Sequence, residues 1–350
     1  MRRINGFGIG VALLATGALV AAACGDDGDG SSSSTDEPVE EDTGDRTGNG
    51  DTGGAILLDE GRIVIPEEDV GDVDLSQLPL GDQKISEAPE QGFVYLCPGA
   101  PEGMPGAQVD GPWISGDTYS LLDKYWVPGD VDWPEATFDI SVDGDTRVVT
   151  GNNLPINAQT GTFPVPPDSE AYTIDRNPNS ISAQELSLEL PANPVELAEP
   201  SCIGGEVGVL LTGVVLFNAF DAGNLDAVAH EVQDKCQGHP QMSGVYHYHS
   251  LSTCLEDLED TSGGHSNLIG YAFDGFGIYG HRGEGGEVLT TADLDECHGH
   301  THTIDWDGQD VEMYHYHATW EFPYVVGCYR GETAITGPSV GGGETLPPPG

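Results

Sequence analysis

Positive charge is what this sequence has least of. Its 11 Lys and Arg residues, only 3 of them lysines, stand against 59 Asp and Glu, a formal net charge of −48 over 350 residues. Such a chain cannot displace the counterions of a phosphate backbone, so nucleic acid is excluded as a partner. Cations and water are its natural neighbours, and the charge bears on solubility more than on activity. Several reaction signatures are missing too: there is no nucleophile elbow between a strand and a helix, no His-Glu-x-x-His and no phosphate-binding glycine loop. Histidine is absent before His230 and after His317, so all 11 imidazoles crowd into one stretch.

The N-terminus predicts export. Arg2 and Arg3 precede an apolar or small run from Phe7 to Val20, which closes on Leu19-Val-Ala-Ala-Ala-Cys24. The run is too short and too weakly flanked for a membrane span. It resembles a lipoprotein signal peptide over residues 1–23, with Ala21 where Leu is usual and Cys24 as the lipidated residue; the alternative is ordinary cleavage after Ala-x-Ala. The expected location is the extracytoplasmic side of the cell envelope, with membrane contact through the lipid anchor only. Residues 24–54 hold almost no apolar side chains and predict a disordered acidic linker. Ala55–Leu58 and Arg62–Ile65 can each form a short strand, and residues 332–350, rich in Gly and Pro, predict a disordered tail.

Between about Gln91 and Gly331 there is enough chain for one β-rich domain or two small ones, and a single domain is the preferred reading. Thr137 to Val149 alternates around Asp143-Gly144, a hairpin signal. Glu206 to Phe217 reads as one buried strand, or two with a turn at Thr212-Gly213. Ile304 to His317 is a hairpin turning at Asp307-Gly308. One helix is expected, capped by Asn224, with Leu225, Val228, Ala229 and Val232 on one face through about Lys235. The fold class is mainly β: a sandwich or distorted barrel with one short helix, stapled by disulfides.

Setting Cys24 aside leaves 6 cysteines. Cys236 and Cys254 bracket one Tyr-His-Tyr-His, Cys297 and Cys328 bracket another, and Cys97 and Cys202 remain, which favours those three pairs among the 15 possible. The rival reading makes Cys236 and Cys297 zinc thiolates beside His239 and His300. It ranks below disulfides, since exported thiols with a cysteine partner nearby oxidise.

The tetrads run from Tyr246 to His249 and from Tyr314 to His317, led by Cys236-Gln-Gly-His239 and Cys297-His-Gly-His300. On a strand, His247 and His249 share one face and Tyr246 and Tyr248 the other. Their backbones stand roughly 6.6 Å apart, close enough to meet one metal ion. His315 and His317 repeat this geometry, and His298, His300 and His302 alternate similarly. Without thiolates, such imidazoles suit Zn, Cu, Ni or Fe more than Ca or Mg, with Zn or Cu the leading cofactor expectation. Affinity is expected to fall below about pH 6.5, where free imidazole takes a proton. A lone His-x-His is more often satisfied by a carbonyl or an aspartate, but imidazoles on this scale each need a partner. Between the tetrads, Asp274 in an Asp-Gly turn is a candidate partner orienting a histidine or a general base. Its plain alternative is a hairpin-turn aspartate.

These residues resemble the YHYH-domain family. The resemblance rests on the tetrads and on Asn157 to Pro164, Asn177 to Ile181, Gly208 to Val214, Gly270 to Gly280, Leu294 to His300 and Gly327 to Gly331. It spans residues 111–331 and leaves 55–110 as a partly ordered N-terminal extension. The family implies an exported domain with a histidine-rich site and no settled reaction. This chain departs from it near Asn157, where a histidine is common, at Gly277, where proline is usual, and at His298, where asparagine is common. The expected function is transition-metal binding for scavenging, storage or sensing, through His247, His249, His315 and His317 with His239 and His300 in support. His230, His298 and His302 are expected to be bystanders. Two alternatives stand: a metal-assisted hydrolase using Asp274 or a histidine as acid/base, and a structural surface domain with core histidines only.

Overall fold

The structure is a computed structural model and describes residues 57–59, 62–65, 69–98, 106–107, 109–255 and 264–333. The expected signal peptide, Cys24, the acidic linker and almost all of the tail lie outside the described residues. Strands β1 (Leu57–Asp59) and β2 (Arg62–Val64) pair antiparallel where two short strands are expected. Strands β3 (Leu78–Pro79), β4 (Ile114–Ser115) and β5 (Thr118–Tyr119) form a small sheet with β5 in the middle. The Asp143-Gly144 signal produces the hairpin of β6 (Phe138–Asp143) and β7 (Thr146–Gly151), with Gly144 at φ 63°. Strand β8 (Leu186–Pro191) adds to the free side of β7 and buries Leu186, Leu188 and Leu190. Strand β9 (Glu196–Ser201) pairs with the last strand, β18 (Tyr329–Gly331).

The remaining strands build one eight-stranded sheet. They are β10 (Glu206–Leu210), β11 (Val215–Phe217), β12 (Gly238–Pro240), β13 (Tyr246–Tyr248), β14 (Leu268–Ala272), β15 (Gly277–Tyr279), β16 (Gly299–Trp306) and β17 (Gln309–His317). The order is β12-β13-β11-β10-β14-β15-β17-β16. Read from either edge, it is the same four-strand unit: third strand, fourth, second, first. The registers repeat as well. Leu216 pairs with Tyr248 as Ile278 does with Tyr316, and His239 pairs with His247 as His300 does with His315. Even the irregularity between Glu206 and Gly208 recurs between Leu268 and Gly270. Gly213 and Gly275 turn the two leading hairpins at φ 85° and 91°, a backbone region that favours glycine. The units meet where β10 runs antiparallel to β14.

The mainly β expectation holds, but the sheet is open, with β12 and β16 as its edges, and is not closed into a barrel. The β6-β7-β8 sheet lies against it. Arg147 of β7 stacks over Tyr271 and Trp306 at 4.4 and 5.0 Å from the ring centres, and Trp306 donates to the Ala192 carbonyl. All three expected disulfides form, Cys97–Cys202, Cys236–Cys254 and Cys297–Cys328, which removes Cys236 and Cys297 as thiolate ligands.

The helix is shorter than expected. Helix α1 spans Ala227–His230 and is capped by Asp226, whose carboxylate accepts from Ala229 N–H at 3.2 Å. Asn224 instead sits at φ 61° inside a turn organised by Asp221. Beyond Glu231 the chain is drawn into a loop around Asp234, whose carboxylate collects the N–H groups of Gly161, Cys236 and Gly238. A long-range carboxylate network thus ends a helix that local periodicity would continue.

Candidate metal centres

Alternation along β13 and β17 separates the tetrads into a tyrosine face and a histidine face. The four tyrosines are buried. Tyr246 donates to Asp234 at 2.8 Å, Tyr314 to Asp295 at 2.9 Å and Tyr316 to Asp274 at 2.6 Å. Asp234 and Asp295 are equivalent residues that also hold the Cys-x-Gly-His leads. Asp295 receives Cys297 and Gly299 N–H at 2.9 and 3.1 Å, as Asp234 receives Cys236 and Gly238 at 3.0 and 3.2 Å. Their only sequence signal is an aspartate two residues before each of these cysteines.

Asp274 belongs to the tyrosine face. It is fully buried and accepts from the Tyr316 hydroxyl and from the backbone of Phe276, Arg330 and Gly331. Burial raises its carboxyl to about 6. It anchors a turn, and its hydrogen bonds run to the tyrosine face, so it is not placed to orient a histidine of either group. Thr212 is its counterpart in the first unit.

The histidines gather in two groups, each with its ligand atoms within 4.8 Å of one another: His239, His247 and His249 in the first, and His265, His300, His302, His315 and His317 in the second. Strands β13 and β17 stand five strand spacings apart, roughly 24 Å at ~4.8 Å per spacing, so the four tetrad imidazoles cannot share one ion. The common ligand positions are equivalent, His239 with His300, His247 with His315 and His249 with His317. His302 joins the second group although it was expected to be a bystander, because it alternates with His300 on β16. His265 comes from the loop before β14 and carried no spacing signal. His298 stays outside: at φ 77° it turns away before β16 begins, and its Nε2 meets the Thr319 hydroxyl at 2.9 Å. His230 pairs with Asp82 at 3.0 Å, and His281 stacks on Trp320 at 4.2 Å.

Hydrogen bonding fixes which nitrogen faces inward. The Nδ1 of His247 lies 3.2 Å from the Val245 carbonyl, that of His249 2.6 Å from Asn218, that of His315 3.0 Å from Met313 and that of His317 2.6 Å from Gly280. His265 and His302 bond the carbonyls of Ser266 and Thr303 in the same way. A carbonyl only accepts, so each Nδ1 carries the proton and each neutral Nε2 presents a bare lone pair. These lone pairs face each other: His247 and His249 Nε2 are 3.1 Å apart, His265 is 3.1 Å from His317 and 3.3 Å from His315, and His302 is 3.2 Å from His315. Nitrogens bound to one tetrahedral ion at 2.0–2.1 Å stand roughly 3.3 Å apart, so the spacing fits a metal. Neither ring nitrogen of His239, nor Nε2 of His300, makes a well-formed hydrogen bond.

A proton is a poor substitute for that cation. Burial lowers His249 and His265 to about 4 and His315 to about 2, and holds His239, His247 and His317 well below the usual imidazole range. The two groups also differ in cover. All three imidazoles of the first are buried, whereas His265, His300 and His302 of the second are half-exposed. Glu231, absent from the sequence-derived candidates, lies beside the first group with Oε2 at 3.5 Å from His239 Nε2 and 3.8 Å from His249 Nε2.

No curated protein and no solved structure matches the chain. The family model described as YHYH protein matches residues 187–286, a narrower span than the motifs predict; it takes in the first unit and the β14–β15 hairpin and stops before the second tetrad. The chain therefore carries a YHYH domain.

Proposed function

We propose that this chain binds transition-metal ions at two histidine centres, one in each four-strand unit, and serves in metal scavenging, storage or sensing. One observation carries the reading: backbone carbonyls hold the Nδ1 protons, so Nε2 lone pairs meet at 3.1–3.3 Å as opposed acceptors. A purely structural role would leave these acceptors opposed, and at the first centre buried as well. Imidazole-rich sets suit Zn or Cu. The three disulfides favour an oxidising compartment, in keeping with an exported lipoprotein anchored through Cys24. The hydrolase alternative loses Asp274 as its acid/base, since Asp274 bonds Tyr316 on the face of β17 opposite His315 and His317, and keeps only a histidine for that role.

Metal analysis of the purified full chain tests the reading. Two equivalents of Zn or Cu are expected per chain, falling to one in His247→Ala/His249→Ala and to one in His315→Ala/His317→Ala. A folded parent chain that takes up no stoichiometric metal after dialysis against either ion would sink it.

A further inference from the structure

The two units share three ligand positions but differ in what surrounds them. In the second unit, His265 and His302 add two further imidazoles. In the first, no further histidine joins the three, and Glu231 lies beside them. The chain opposite Glu231 in the second unit is the short turn Thr291–Asp293, whose Asp293 folds back to accept from the Thr290 backbone and hydroxyl at 2.9 and 2.7 Å. The second unit therefore offers no carboxylate from that turn; Glu284 and Glu287 act on His300, and Glu287 on His265, through charge alone and stand outside the ligand cluster.

Glu231 reaches two of the three imidazoles of the first group, His239 and His249, and stands outside the 4.8 Å cluster that those two form with His247. Its side chain is 12% exposed. Gly106 covers its Oε1 so closely that any Cβ there would collide with it. The other oxygen, Oε2, is turned to His239 and His249. Because His249 commits its Nδ1 proton to Asn218, its Nε2 turns an acceptor lone pair toward the Glu231 oxygen. Lys124, buried nearby, attracts Glu231 by charge but gives its hydrogen bonds to the Val228 carbonyl and to Gln233.

Resting on the metal-binding reading above, we infer that Glu231 completes the first group as a three-histidine, one-carboxylate centre. The second is an all-imidazole centre, so the two take ions of different character. The carboxylate brings a negative charge and a hard oxygen donor, which favours ions such as Co(II), Mn(II) or Fe(II) relative to the second centre. Five imidazoles favour Cu(II). Both sites follow the general affinity order of divalent metals, so the difference lies in the ratio of Cu(II) to Co(II) affinity, which is lower at the first centre.

The test titrates Co(II) and, separately, Cu(II) into the metal-free full chain, following the visible absorption of each ion. His265→Ala/His302→Ala, which alters only the half-exposed rim of the second centre, identifies which signal belongs to which site. Glu231→Gln keeps the side chain's shape and removes its charge. It is expected to weaken Co(II) at the first centre at least tenfold, to weaken Cu(II) there less, and to leave the second centre unchanged. Glu231→Asp, which keeps the charge, should recover part of the loss, and thermal unfolding reports whether each variant is folded. Equal Co(II) affinity in folded Glu231→Gln and parent overturns the assignment while leaving two-site metal binding intact. Absence of both ions from the parent chain overturns the binding reading itself.

Discussion

At the scale of the residue, His249 illustrates how burial and hydrogen bonding together set the chemistry. Its Nδ1 is tied to Asn218 and burial lowers it to about 4, as it lowers His265. Protons therefore compete for these nitrogens near pH 4, not near the pH 6.5 expected from free imidazole. Metal should be retained on dialysis at pH 5.5 and held more weakly at pH 3.5, where His249 and His265 take protons, as metal analysis of the dialysed chain will report. His281 gives the corresponding stability test. Burial against Trp320 lowers it to about 3, while the unfolded chain titrates at about 6.5. Between these values the unfolded form binds the extra proton, so stability falls as pH drops. His281→Phe should flatten the dependence of urea unfolding on pH by up to about 1.4 kcal/mol per pH unit in that window. The ligand residues on strands were legible because alternation fixes their face. His265 and Glu231 were not, because a loop and a helix end bring them in from outside any periodic pattern.

At the scale of the element, glycines at the start of β12 and β16 allow each Cys-x-Gly-His lead to lie against its tetrad. A Cβ at Gly299 would run into the His315 carbonyl oxygen and the Tyr314 hydroxyl, and one at Gly238 into the Tyr246 ring. Gly299→Ala should cost about 1–3 kcal/mol in chemical unfolding. It should also weaken metal at the second centre while sparing the first, which His265→Ala/His302→Ala would confirm by removing the same signal. The hairpins were readable because Asp-Gly turns and alternation are local. The end of α1 was not, since the Asp234 network that stops it joins Gly161 to Cys236 and Gly238 across a long stretch of sequence. Nor could sequence tell one site from two: duplicated tetrads are equally consistent with convergence and with separation, and only the central β10–β14 pairing decides.

At the scale of the whole molecule, each unit is closed by its own disulfide, Cys236–Cys254 in the first and Cys297–Cys328 in the second. Removing the second pair, which closes a span of 31 residues, should lower stability by about 3–4 kcal/mol in denaturant unfolding. The net charge of −48 predicts a further effect: added sodium chloride should raise the unfolding temperature by screening self-repulsion. The repeated order of strands has a practical consequence. Because backbone register and three ligands are common to both halves, each centre is a built-in control for the other, measured in the same tube, at the same concentration and in the same fold. A difference in metal preference, exchange rate or spectrum between them can be traced to a handful of side chains, chiefly Glu231, His265 and His302. Exchanging those side chains between the halves turns one molecule into its own calibration series.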